Sequence, residues 1–333
     1  MGFSAKDLAK ELGLSAAAVS MALNDKPGVS ESTRKLVREK AKEKGFDFTR
    51  IKAKPSRGKI AFVIYKKHGA VVSDTSFFSE LTDGISYASK EAGYGLDIHY
   101  LIESENSYED LRSIASSYIS GMILLGTEMK EKDFVGLKDL PSPVVILDTY
   151  QHSTDLDYVL INNIQGAYLA TNYIIAQRKC QPGYLRSSYS IGNFDERADG
   201  FYKAVRDNGF SASKSIVHRL APSIEGAQSD MSAILDSGEA TASCYFADND
   251  LIAAGAMQAF KAHGYRIPED VGIVGFDNTP MCEVLEPPLT TINVPKRNMA
   301  RIAVERLISI ISDGGNIHTK TEIMTTLVKR KSL

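Results

Sequence analysis

SAKDLAKELGLSAAAVSMALNDKPGVSESTRKLVREKAKEK, residues 4–44, reads as three short helices joined by tight turns. Ser4 is an N-cap residue, because its hydroxyl accepts from an orphan backbone N–H, and Asp7 in the first turn suits the helix dipole. Leu8, Ala9 and Leu12 then share one face, and Gly13 supplies a left-handed stop before Ser15 caps a second helix that runs to about Asn24. Two helices joined by Gly-Leu-Ser make a helix-turn-helix, whose second helix enters the DNA major groove by its N-terminal end. On that helix Val19 and Leu23, with Ala18 and Ala22 beside them, form the packing side, and Ser15, Ala16, Ala17, Ser20 and Met21 face outward. Asn24 to Gly28 is turn chemistry. Ser30 and Thr33 open a third helix with Leu36 and Val37 inward and Arg34, Lys35, Arg38, Lys40, Lys42 and Lys44 outward.

Working outward, the net charge of −2 over 333 residues conceals an asymmetry. Residues 1–57 hold thirteen basic and seven acidic side chains, a balance of +6 that leaves −8 on the remainder. A basic headpiece on an acidic body fits a phosphate-binding module joined to one that does not touch nucleic acid. Residues 46–58, FDFTRIKAKPSRG, are polar and broken by Pro55 and Gly58, as a linker is.

From residue 60 onward short apolar runs alternate with amphipathic patterns. Strands are expected over 60–65, 96–100, 122–125, 144–147, 159–161, 183–185, 215–219, 242–246 and 271–275. Helices are expected over 77–92, 108–118, 165–176, 195–208, 224–235 and 250–263. That alternation indicates an α/β body of parallel, doubly wound sheets, and the pattern restarts near Asn163, giving two lobes with a cleft at the strand C-termini. No apolar run reaches membrane-span length and no secretory h-region opens the chain, so the expectation is a cytoplasmic protein without a membrane partner. Cys180, Cys244 and Cys282 are widely spaced in sequence with no C-x-x-C pair and read as buried or partly buried thiols in a reducing compartment; neither they nor the six histidines have metal-ligand spacing. No Walker, zincin or nucleophile-elbow motif occurs, so an enzyme reading has a fold without chemistry, and neither catalytic residues nor a cofactor are expected.

The run KDLAKELGLSAAAVSMALNDKPGVSESTRKLV, residues 6–37, resembles the headpiece of the lactose-repressor/galactose-repressor (LacI/GalR) family of bacterial transcription regulators. SPVVILD (142–148), NNIQGAYLATNYI (162–174), DERADGFYKAV (195–205), YFADNDLIAAGAMQAF (245–260), GYRIPEDVGIVGFDNTP (264–280) and EPPLTTINVP (286–295) resemble successive blocks of its periplasmic-binding-protein-like effector domain. The resemblance implies a headpiece (1–45), a hinge (46–58) and a two-lobed domain (59–333). Lobe 1 would hold about 59–162 and 294–325, lobe 2 about 163–293 and 326–333, with crossings near Asn162, Asn293 and Thr325 and a helix over 295–313 returning to lobe 1. It also implies a homodimer paired through lobe 1 helices, operator DNA as partner, and a small-molecule effector, a sugar first, with a nucleobase or a partner protein as alternatives.

By position, the effector would meet Phe77, Phe78, Thr127, Asp148, Arg197, Asn249, Asp250 and Asp277. Arg197 with Asp277 can grip paired hydroxyls, although Asp250 and Asp277 also suit helix capping. On the DNA side, an arginine that often follows V-S in the family is replaced by Met21, and three alanines follow the cap. Base readout then rests on methyl contacts, Ser15, Ser20 and Asn24, with Ser4, Ser30, Thr33 and Arg34 on phosphate, which predicts an operator unlike the family's usual palindrome. A hinge leucine is also implied, but KAKP (52–55) puts Pro55 there. Ile51 as a minor-groove wedge and a solvated linker with Lys52 and Lys54 on phosphate both stay open. Two other classes stay open as well, a sensor that no longer binds DNA and a sugar-processing enzyme.

Overall fold

The computed structural model describes residues 5–24, 28–46, 57–72, 76–314 and 317–333. The chain forms two compact units, Met1–Ser56 and Arg57–Leu333.

The first unit contains α1 (Ala5–Leu12), α2 (Ala16–Leu23) and α3 (Glu31–Glu43). Ser15 starts α2 by accepting from the Ala18 N–H at 3.1 Å, and Ser30 starts α3 by accepting from that of Thr33 at 3.2 Å. Leu8, Ala9, Val19, Ala22, Leu23, Val37 and Ala41 make a small core. Leu36, expected inward, is 51% exposed. Val37 and Ala41 are four apart and fix the buried stripe, and Leu36 lies about 100° round the helix from it. Ala18, expected beside Val19, is only half-buried.

The second unit is the expected two-lobed doubly wound α/β body, with one six-stranded sheet per lobe. The first sheet contains β1 (Lys59–Lys66), β2 (Gly95–Ile102), β3 (Gly121–Leu125), β4 (Val144–Leu147) and β5 (Asp157–Ile161), joined through α4 (Ser76–Glu91), α5 (Ser107–Ala115) and loops. The second contains β6 (Gly183–Ser187), β7 (Val217–Leu220), β8 (Cys244–Ala247), β9 (Gly272–Asp277) and β10 (Thr290–Asn293). Its helices are α6 (Asn163–Arg178), α7 (Gly192–Asp207), α8 (Ile224–Asp236), α9 (Asp250–Ala262) and the short α10 (Met281–Val284). The long α11 (Lys296–Asp313) then packs on α4 and the first sheet, β11 (Lys320–Ile323) joins that sheet, and β12 (Thr326–Val328) joins the second.

Strand order is β11-β5-β4-β3-β1-β2 in one sheet and β12-β10-β9-β8-β6-β7 in the other, parallel throughout except for antiparallel β12. Burial on both faces explains the continuous apolar strands: Ile60, Phe62 and Ile64 of β1 enter one core cluster and Ala61, Val63 and Tyr65 another. β10, β11 and β12 escape a hydrophobicity reading because TTIN, KTEI and TLV are short and rich in threonine and charge.

Candidate functional site

Parallel strands running in one direction in each lobe bring their C-terminal ends to a common cavity of about 290 Å³. All eight residues that the resemblance puts there line it. Thr127 and Asp148 follow β3 and β4, Asn249 and Asp250 follow β8, and Asp277 ends β9. Phe77 and Phe78 open α4, packed edge to face with centroids 5.0 Å apart; Phe77 is buried and Phe78 half-buried. Arg197 projects from the second turn of α7.

Arg197 is 3% exposed and held from behind. Its Nε donates to Asn163 Oδ1 at 2.9 Å, Nη1 donates to the Asp248 carbonyl, and the guanidinium lies 3.7 Å from the Phe276 ring centroid. Only Nη2 points to the cavity carboxylates, at 3.5 Å from Asp277 Oδ1. Asp277 has a φ of 111°, rare for a residue with a Cβ, and Lys296 at the start of α11 donates to its carbonyl at 2.8 Å. Burial pushes the Asp277 carboxyl up to about 7; Arg197 opposes the shift and Asp250 adds to it.

Asp148, at φ 66°, accepts from Thr127 Oγ1 at 2.6 Å and from Asn193 Nδ2 at 3.0 Å. Asn193 stands on lobe 2, so this bond spans the cleft. Burial raises the Asp148 carboxyl to about 6, and Thr127 pulls the other way. Asp250 accepts from the Thr279 N–H (2.8 Å), Thr279 Oγ1 (3.1 Å) and Thr291 Oγ1 (2.5 Å), which engages both of its oxygens. It therefore ties the start of α9 to β10 and the loop after β9. The cap of α9 is Asn249, whose Oδ1 accepts from Ile252 N at 2.9 Å.

Sequence reasoning missed Asn193, Asp248, Lys296 and Glu128. Asn193 is four residues before Arg197 on the same helix face, a spacing that points to it. Asp248 accepts from the Tyr184 hydroxyl and from Ser187 N at 2.6 Å, and burial lifts its carboxyl to about 6. Glu128 accepts from the N–H groups of Lys67, His68, Gly69, Val71 and Val72 at 2.8–3.2 Å, fixing the loop that brings Val71 to the cavity. Burial alone would raise the Glu128 carboxyl, but these donors hold it below its ordinary value.

On the headpiece, Ser15, Ala16, Ala17, Ser20 and Asn24 are exposed. Met21, expected outward, is half-buried: its sulfur lies 3.2 Å from the point a Cβ on Gly28 would occupy, and Gly28 has a φ of 110°. Asn24 Nδ2 already donates to the Ser20 carbonyl at 2.7 Å. Ser30 Oγ shares a hydrogen bond with Thr33 Oγ1 at 2.7 Å, and Arg34 is half-buried. Ser4, Ile51, Lys52, Lys54 and Pro55 lie outside the described residues. Among the described residues no helix is long and apolar enough to cross a membrane, and no group of three or more His, Cys, Asp or Glu is arranged to hold a metal.

Residues 178–333 match a family described as a periplasmic binding protein-like domain. The ribose operon repressor of Halalkalibacterium halodurans is 30% identical over 336 residues, covering 98% of this chain and 96% of that protein. The HTH-type transcriptional repressor PurR of Aliivibrio salmonicida is 27% identical over 335 residues, covering 98% of both. Among solved structures, the transcriptional regulator CelR–cellobiose complex superposes with a TM-score of 0.74 at 23% identity, over 99% of this chain and 100% of that one. A LacI family transcriptional regulator from Enterococcus faecium with bound ribose gives 0.70 at 24%, over 82% and 98%. At such identities the superpositions speak to fold.

Proposed function

We infer from one premise, that this chain belongs to the LacI/GalR family of transcription regulators, that it represses transcription by gripping operator DNA and changes that grip when a small ligand enters the interlobe cavity. In this reading residues 1–45 bind DNA, 46–58 link, and 59–333 sense the ligand and pair two copies. The observation that carries it is the joining, in one chain, of a capped helix-turn-helix to a cavity whose single guanidinium is braced so that only its Nη2 edge is offered inward.

The ligand is a sugar. Nη2 of Arg197 with the carboxylates of Asp277 and Asp148 suits a set of hydroxyls, and Phe77, Phe78 and Phe194 supply apolar faces for a ring. The repressor role of the relatives and the cellobiose and ribose in the two solved structures support this choice. The ligand leaves unchanged, since the role is regulation, and the protein works in the cytoplasm. Ser15, Ala16, Ala17, Ser20 and Asn24 face the bases with the half-buried Met21 at their edge, Ser4, Ser30, Thr33, Arg34, Lys52 and Lys54 meet phosphate, and Ile51 serves the minor groove. The partner is a second copy, seated on the lobe 1 face where Tyr87 of α4 and Ile98, Tyr100 and Ile102 of edge strand β2 are exposed.

A thermal-shift screen of sugars, sugar phosphates and purines, followed by polarisation titration of operator fragments with and without the hit, tests the reading. A sugar that shifts melting and alters DNA affinity is expected. A purine hit would reassign the ligand; absence of salt-dependent DNA binding at low ionic strength would leave a sensor without a DNA role.

A further inference from the structure

Two of the three cysteines, 64 residues apart in sequence, meet in the second lobe: Cys180 Sγ lies 3.3 Å from Cys244 Sγ. Cys180 sits in the connection from α6 to β6 and Cys244 begins β8, and these strands are neighbours, with Gly183 opposite Tyr245. Cys180 is half-exposed and Cys244 buried, so reagents reach Cys180 first. Ser243 Oγ stands 3.3 Å from Cys180 Sγ. Burial pushes the Cys244 thiol up and the neighbouring Cys180 adds to the shift, with the Arg178 charge opposing it, so Cys244 stays a thiol until a base takes its proton. The third thiol, Cys282, is fully buried beside Thr279 and serves as an internal control.

We propose that Cys180 and Cys244 form a reversible intramolecular disulfide by exchange with a low-molecular-weight disulfide. The Cys180 thiolate attacks one sulfur of that reagent, making a mixed disulfide and releasing one small thiolate. Cys244, deprotonated, attacks Cys180 Sγ, closing the protein disulfide and releasing the second small thiolate. Two protein thiols are oxidised, one reagent disulfide is reduced, and the two thiol protons pass to the two released thiolates. The link closes a loop holding β6, α7, β7 and α8, and therefore Asn193 and Arg197, while lying at the strand ends opposite the cavity. It stiffens the ligand lobe without blocking the cavity.

The full chain is incubated with oxidised glutathione, its thiols are titrated in denaturant, and its peptides are mapped. Titratable thiols are expected to fall from three to one, with a peptide pair joining positions 180 and 244 lighter by two hydrogens and restored by reductant. The linked form is expected to melt higher than the reduced form. Cys244→Ser is expected to stop at a glutathione adduct on Cys180. Three thiols remaining in the unmutated chain, a lasting glutathione adduct there, or a link through Cys282 would each overturn the proposal.

Discussion

Arg197 concentrates the chemistry of the cavity in one side chain, and its surroundings show what its removal does. Asn163, the Asp248 carbonyl and Asp277 would all lose a charged donor inside the protein. Arg197→Ala is therefore expected to destabilise the body by about 3 kcal/mol in urea unfolding and to abolish the ligand-induced melting shift, while the headpiece keeps its DNA affinity. A retained shift would take Arg197 out of the binding role. The carboxylates carry a pH signature. Asp148 and Asp248 are raised to about 6 and Asp277 to about 7. A carboxyl with a raised folded pKa holds its proton more tightly when folded. Its stabilisation is complete below the unfolded value of about 4 and is lost as pH climbs through the folded value. Thermal melts from about pH 5 to 8 are expected to show stability falling with pH, and Asp277→Asn to flatten the slope near 7; an unchanged slope would refute the assignment.

Among the elements, α7 places Asn193 and Arg197 and owes its position to a glycine. A Cβ on Gly200 would stand 2.3 Å from the Ile164 carbonyl of α6, a backbone atom that cannot swing aside. Gly200→Ala is expected to lever α7 off α6, costing about 2 kcal/mol and weakening ligand binding through displaced side chains; thermal melts and ligand titration read both effects. In the headpiece, α2 depends on its cap. Ser15→Ala removes the acceptor for the Ala18 N–H and is expected to cost about 1 kcal/mol of headpiece stability and to weaken operator binding, followed by circular dichroism and polarisation. Full operator affinity in that variant would show that DNA itself orders the helix start.

At the scale of the whole molecule, the proposed DNA-binding role leaves one headpiece few base contacts, because the exposed face of α2 carries mainly serine and alanine. Under the proposed function, specificity then rests on two headpieces brought together by the pairing of two copies. Tyr87→Glu combined with Tyr100→Glu is expected to shift the protein from dimer to monomer in sedimentation and to reduce operator affinity by more than tenfold; a dimer that survives would place the interface elsewhere. Much of this organisation was legible in the chain. The caps at Ser15 and Ser30, the strand and helix alternation and the positions after each strand are local signals, set by backbone hydrogen bonding and side-chain period. They determined a helix-turn-helix joined to a two-lobed α/β body, and the eight cavity positions followed from resemblance. Tertiary structure alone decided the rest, since it depends on distance through space. It faced Val37 and Ala41 inward in place of Leu36, and set Asn193 of one lobe on Asp148 of the other. It also engaged both Asp250 oxygens with threonines, gave Glu128 a nest of backbone donors, and brought Cys180 to Cys244. No sequence period encodes such meetings, because parallel strands are joined by long crossovers and their contacts are fixed only when the sheets close.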